Sequence, residues 1–156
     1  VRPTISMGLD YCSFDATSDQ TFAAIHTPTA VTPGNTLSSN GVSLVSGSRL
    51  TVSQAGFYAV TASLQLTSGS SSAKNVYFWV RKGGADVADT TRIVTVDING
   101  GEVPIALSYT ISLAASDYVE LYWAADSTDV SLSALTGLAF APDAPSFLVN
   151  VFQLQL

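Results

Sequence analysis

The chain has 156 residues and a mass of 16.2 kDa, which fits one domain and leaves no room for two. Only 12% of its residues are charged, about half the roughly 25% usual in soluble domains, and the formal net charge is −6. This acidic balance argues against nucleic acid and against an anionic membrane surface as partners, because both are bound through clustered cations.

Alternation of apolar and polar residues with period two predicts β-strands along most of the chain, and helix signals are almost absent. Turns such as Asn40-Gly41 and Gly83-Gly84 separate the runs at short intervals. The predicted strands are 21–26, 42–45, 49–53, 57–67, 75–82, 91–98, 103–113, 118–125, 130–139 and 147–156. They predict an all-β fold, an antiparallel jelly-roll sandwich of about ten strands in a single domain (1–156), with residues 1–20 as an extended N-terminal arm.

The parity of the alternating strands predicts which side chains form the core. Apolar residues of one parity face inward on a half-buried sheet, and the other parity faces outward. The predicted core residues are Tyr58, Val60, Leu64, Leu107, Tyr109, Ile111, Val119, Leu121 and Trp123.

Candidates for catalysis are few. His26 is the only histidine, and the sequence near it offers neither a nucleophile nor an orienting partner, so an exposed or interface position is the preferred interpretation. Cys12 is the only cysteine and has no adjacent cation, which predicts a buried and inert thiol. No G-x-S-x-G sequence is present. We therefore expect no enzymatic activity and no cofactor.

Three pairs of carboxylates could bind calcium if several oxygen ligands converged on one point. None of them matches the D-x-D-x-D-G loop, so capping of surface turns is the preferred interpretation and no metal site is predicted. The pairs are Asp86 with Asp89, Asp117 with Glu120, and Asp126 with Asp129.

Two outward faces differ from ordinary solvated strands. Tyr77 and Trp79 form a face that is too aromatic for plain solvent, which predicts contact with a partner or a neighbouring subunit; a surface for stacking sugars is the other interpretation. No charge occurs between positions 57 and 72 or between 103 and 116, which predicts a buried subunit contact unless these neutral faces are simply exposed. The residues predicted at this subunit contact are Ala59, Thr61, Ala106, Ser108, Thr110 and, on the terminal strand, Phe152.

Several runs resemble a known jelly roll. Residues 56–62 (GFYAVTA), 78–84 (FWVRKGG) and 116–123 (SDYVELYW), followed by a terminal strand, resemble the module shared by tumour necrosis factor and the complement globular head. Residues 25–32 (IHTPTAVT) and 48–52 (SRLTV) resemble the bacteriophage virion version of it. Ser116 stands where that pattern usually has Gly, and Lys82-Gly83-Gly84 replaces Lys-Asn-Gly, but both keep a tight turn.

This resemblance implies a trimeric, non-enzymatic virion protein, since phage members of the family decorate capsids or form parts of tail fibres. The compact length without a fibre shaft favours a capsid decoration (cement) protein. Its expected partners are further copies of itself and the major capsid protein, and its expected location is the capsid surface after synthesis in the host cytoplasm. The alternative is a tail-fibre or receptor-binding tip that contacts a host surface glycan.

Overall fold

Strands make up the regular structure of the chain. The computed structural model describes residues 8–155, which form thirteen β-strands and contain no α-helix. The strands are β1 (Tyr11–Ala16), β2 (Thr29–Ala30), β3 (Asn35–Asn40), β4 (Val42–Val45), β5 (Arg49–Val52), β6 (Gly56–Ser68), β7 (Lys74–Lys82), β8 (Ala85–Asp86), β9 (Arg92–Val96), β10 (Glu102–Leu113), β11 (Tyr118–Ala125), β12 (Val130–Leu132) and β13 (Phe147–Gln155). No helix in this part of the chain could span a membrane.

Two antiparallel sheets pack face to face as a jelly-roll-like sandwich, which confirms the predicted all-β fold class. Sheet 1 has the strand order β10-β6-β13-β1-β3, and β12 also pairs with β6. Sheet 2 has the order β4-β5-β11-β7-β8, with β2 paired to β11 and β9 paired to β7. The first and last strands of the chain, β1 and β13, are therefore neighbours in the interior of sheet 1.

The core lies between the two sheets and agrees with most of the parity prediction. Seven of the nine predicted core residues are buried: Tyr58, Val60, Leu64, Leu107, Val119, Leu121 and Trp123. Tyr109 and Ile111 are half-buried and pack against the core from β10. Their burial is incomplete because β10 is the edge strand of sheet 1.

Leu107 provides a direct check of the inward parity of β10. It lies opposite Ala62 of β6 and is 7% exposed. Leu107→Ala should lower the free energy of unfolding by about 2–3 kcal/mol. This value lies in the lower part of the range for buried leucines, because an edge strand can relax into the cavity that the substitution leaves. Urea denaturation measures this loss. Ser108→Ala changes the exposed neighbour and should cost less than about 0.5 kcal/mol, so equal losses in both variants would contradict the orientation.

The N-terminal arm predicted for residues 1–20 is wrong for the segment 11–16. This segment is β1, which pairs with β13 and β3 inside sheet 1. Cys12, Phe14 and Ala16 alternate inward and are almost completely buried, so the strand closes one part of the core. The part of the predicted arm at residues 1–7 lies outside the described residues.

Two other predicted segments are shorter or absent as strands. Residues 21–26 form no strand, because the chain turns there: Phe22 packs edge-on against Trp123 with ring centroids 4.7 Å apart, and His26 has a φ of 53°. The predicted strand 130–139 ends at Leu132 as β12, and Gly137 in the irregular segment after it has a φ of 71°. Besides β1, the structure adds β2, β3 and β8, of which β3 is exposed on both faces and has no apolar alternation.

Candidate functional site

The outward side of sheet 1 gathers the residues predicted at the subunit contact. In β6, in β13 and in residues 104–112 of β10, no outward side chain is charged, and we call this surface the uncharged face. Strand register places Thr110, Ala59 and Phe152 in one row, and Ser108 and Thr61 in the next. Ala106 follows one pair further along β10. All six predicted contact residues therefore share one surface, and their contact with another subunit stays a prediction.

One end of the uncharged face exposes large apolar side chains. Phe57 is 50% exposed, Phe152 45% and Leu154 55%, and Tyr11 on the neighbouring β1 is also exposed. Water contact with several large apolar groups is unfavourable, and a contiguous apolar area without charge is typical of the core of a protein–protein interface. The face therefore has the composition of an interface.

The outward side of sheet 2 carries a cavity that we call the aromatic groove. Its volume is about 480 Å³, within the roughly 300–1,000 Å³ typical of ligand sites. Tyr77 and Trp79 of β7 line it, so the two aromatics predicted to face a partner do lie on an accessible surface. The remaining lining residues are His26, Pro28, Asp86, Val87, Ala88, Asp89, Thr91 and Ala124.

Trp79 is held in the groove by its polar end. Its indole Nε1 donates a hydrogen bond to Asp86 Oδ1 at 2.7 Å, and the Arg81 guanidinium binds the same oxygen at 2.5 Å. Arg81 also lies over the ring of Tyr122, with 4.0 Å from Cζ to the ring centroid. The hydrogen bond from Arg81, with a second from Trp79, holds the pKa of Asp86 below its usual value. The carboxylate is therefore ionised at neutral pH and fixes the plane of the indole ring.

The segments that border the groove are anchored to the sheet. The hydroxyl of Thr90 donates to Val87 O at 2.7 Å and accepts from Val80 N at 3.2 Å, which fixes the turn between β8 and β9 to β7. On the other side, His26 N donates to Ala125 O at 2.9 Å. His26 and Asp89 both have a positive φ, 53° and 62°, which non-glycine residues adopt infrequently. The groove is therefore formed before any ligand arrives.

The other carboxylate pairs act in turns and strands. Asp117 Oδ2 accepts the backbone N–H of Ala114 at 2.9 Å, and Asp126 Oδ1 accepts that of Asn75 at 3.0 Å. Glu120 is buried, where it accepts the Ser48 hydroxyl at 2.6 Å. Among residues 8–155, no three His, Cys, Asp or Glu side chains are grouped in a way that could hold a metal ion.

Cys12 lies inside the sandwich. Burial raises the pKa of its thiol to about 12. Because the thiolate is the reactive form, the folded protein should react with 5,5′-dithiobis(2-nitrobenzoic acid) at pH 8 far more slowly than the protein in urea, which should release one equivalent at once. Rapid labelling of the folded protein would contradict this placement.

A buried carboxylate that sequence reasoning missed connects the start of β1 to the turn before β6. Asp10 is 1% exposed and accepts hydrogen bonds from the backbone N–H groups of Ser53 (2.8 Å) and Gln54 (3.0 Å), from both of their side chains, and from the Tyr58 hydroxyl (3.2 Å). Burial opposes ionisation, but the hydrogen bonds from Gln54 and Ser53 exceed that effect and hold the pKa of Asp10 below its usual value. Gly41, with a φ of 71°, leaves the space that this carboxylate fills.

Comparison of the sequence with protein-family models gives no match, and comparison with curated proteins gives none either.

Proposed function

We propose that the chain is a non-enzymatic structural protein of a bacteriophage virion, and that it forms a homotrimer which decorates the outer surface of the capsid. The observation that carries the proposal is the uncharged face with its exposed phenylalanines. Three copies that pack these faces around an axis would remove the apolar side chains from water without burying an unpaired charge.

The chemistry of the face supports self-association over a solvated surface. An outward strand face in water usually carries Lys or Glu, whereas Ala59, Ala106 and Ser108 are small enough to let neighbouring sheets approach closely. The Cys12 thiol, buried and held protonated, supports the non-enzymatic part of the proposal.

The location on the capsid is tested with purified virions. We expect the protein to co-purify with DNA-filled heads, and electron microscopy of virions carrying a labelled copy should show the label distributed over the head surface. A label confined to the tail tip, or a protein absent from purified virions, would contradict the decoration role.

The second candidate is a tail-fibre or receptor-binding tip that contacts a host glycan. One observation favours it, namely the anchored groove with Trp79 and Tyr77 in its wall. The same labelling experiment separates the candidates, because a tip protein would appear only at the end of the tail.

A further inference from the structure

We propose that the aromatic groove is a binding site for uncharged carbohydrate. The proposal concerns the groove of each chain and does not depend on the trimer or on the location in the virion. It rests on the arrangement of two aromatic side chains, two carboxylates and a rigid border around one cavity.

The aromatic wall matches the apolar side of a sugar ring. Tyr77 and Trp79 are two residues apart on β7, so both side chains point to the same side of sheet 2 and lie next to each other. The hydrogen bond to Asp86 holds the Trp79 ring in place, so little side-chain freedom is lost when a ligand stacks on it. Pro28 and Ala88 extend the apolar lining.

The polar groups of the groove favour a ligand that donates hydrogen bonds. Carboxylates are acceptors only, and Asp86 and Asp89 both line the cavity. Arg81 binds Asp86 through Oδ1, as does Trp79, and the second oxygen of Asp86 is the one left for a ligand. A carbohydrate combines hydroxyl donors with an apolar ring face, which is the combination that this lining accepts.

The charge of the groove selects against acidic sugars. None of the described lining residues is Lys or Arg. Asp86 is paired with Arg81 beside the groove, so the carboxylate of Asp89 is the like charge that a sialic acid or a phosphorylated glycan would meet. A quaternary ammonium ion would be attracted by this charge, but such ions are held by aromatic rings arranged as a cage. Here both rings belong to one strand, and no third Phe, Tyr or Trp is among the described lining residues.

The two tryptophans make the site observable. With tryptophan labelled by ¹⁵N, the spectrum should contain two indole resonances, one from Trp79 in the groove and one from the buried Trp123. The probes are maltotriose, lactose and mannotriose as neutral sugars, with sialyllactose and choline chloride as charged ones, each titrated to about 10 mM. We expect at least one neutral probe to shift the Trp79 resonance in a saturable way and to leave Trp123 unchanged.

Variants then show whether the sugar binds in the aromatic groove or at another aromatic surface. Tyr77→Ala should weaken the binding of that probe by roughly tenfold or more, because a stacking partner is lost. Asp86→Asn should weaken it too, because the substitution removes the charge that accepts hydroxyl donors. Tyr118→Ala is the matched control: it removes an aromatic ring of the same sheet that lies under Arg49 and outside the groove, and it should bind unchanged.

Three results would overturn the proposal. One is that no neutral probe shifts the Trp79 resonance over the whole titration. Another is that only sialyllactose or only choline does so, which would assign the groove to a charged ligand. The last is that Tyr77→Ala binds the neutral probe as well as Tyr118→Ala does, which would place the sugar elsewhere.

Discussion

Ala106→Glu is expected to convert the proposed trimer into folded monomers. Ala106 is exposed on β10, opposite Ser63, within the uncharged face. A glutamate there adds one charge per chain, and around a threefold contact three like charges would be taken out of water together. The penalty for burying an unpaired charge is several kcal/mol for each ion, and the uncharged face offers no cation to offset it. Sedimentation velocity at micromolar concentration measures the outcome.

The matched control for this variant is Ser43→Glu. Ser43 is an exposed residue of β4, the edge strand of sheet 2, on the other side of the sandwich. It should leave the sedimentation coefficient unchanged. Both variants should keep a cooperative thermal unfolding transition, because both positions are exposed in the single chain. Ala106→Glu should lose only the stability that assembly adds to the unmodified protein. A trimer that persists in Ala106→Glu, or one that dissociates equally in Ser43→Glu, would contradict the proposed contact.

Asp10→Ala is expected to lower the free energy of unfolding by about 3–5 kcal/mol, the cost of removing one partner from a buried, hydrogen-bonded charge. The substitution leaves the backbone N–H groups of Ser53 and Gln54 without their acceptor, whereas the Tyr58 hydroxyl keeps Gln54 O at 2.7 Å. Asp15→Ala is the control, because Asp15 lies on β1, is only half-buried and accepts a hydrogen bond from the side chain of Asn35. Asp15→Ala should lower the free energy of unfolding by about 1 kcal/mol or less. If urea denaturation gave equal losses for the two variants, Asp10 would contribute no more to stability than a half-buried carboxylate does.

The same carboxylate gives stability a defined dependence on pH. The folded pKa of Asp10 is below its usual value of 3.8, so the unfolded chain takes up the proton first as the pH falls. The contribution of Asp10 is therefore complete above that usual value and is lost as the pH falls through the lowered folded value. The difference in unfolding free energy between the unmodified protein and Asp10→Asn should be constant from pH 5 to 8 and should shrink below pH 4. A difference that grew on acidification would contradict this.

The long strands could be predicted because their burial is one-sided. In β6 and β10, alternate residues face the core, so period two is visible in the sequence and the bounds agree to within a residue. β11 keeps the alternation in its sequence and its bounds agree as well, although Glu120 and Ala124 on its other face are also buried. In β3 every residue is exposed, so no alternation exists to detect. β1 does alternate, but it is short, and its place between β13 and β3 depends on a pairing across almost the whole chain.

The two candidate sites could be predicted from the sequence to different extents, because one depends on single strands and the other on segments that meet only in the fold. The missing charge on β6 and β10 and the aromatic pair on β7 are properties of single strands, and the structure shows that these side chains face outward. The groove is made by segments that meet only through strand pairing. His26 reaches it because the chain before β2 lies along β11, and Asp89 reaches it because its turn is fixed to β7.

Trimer formation is the central claim, and the mass of the unmodified protein in solution tests it most directly. Sedimentation equilibrium, repeated at several micromolar concentrations, should give one species with three times the 16.2 kDa mass of the chain. A mass equal to one chain across the same concentrations, or to two, would contradict the threefold contact through the uncharged face.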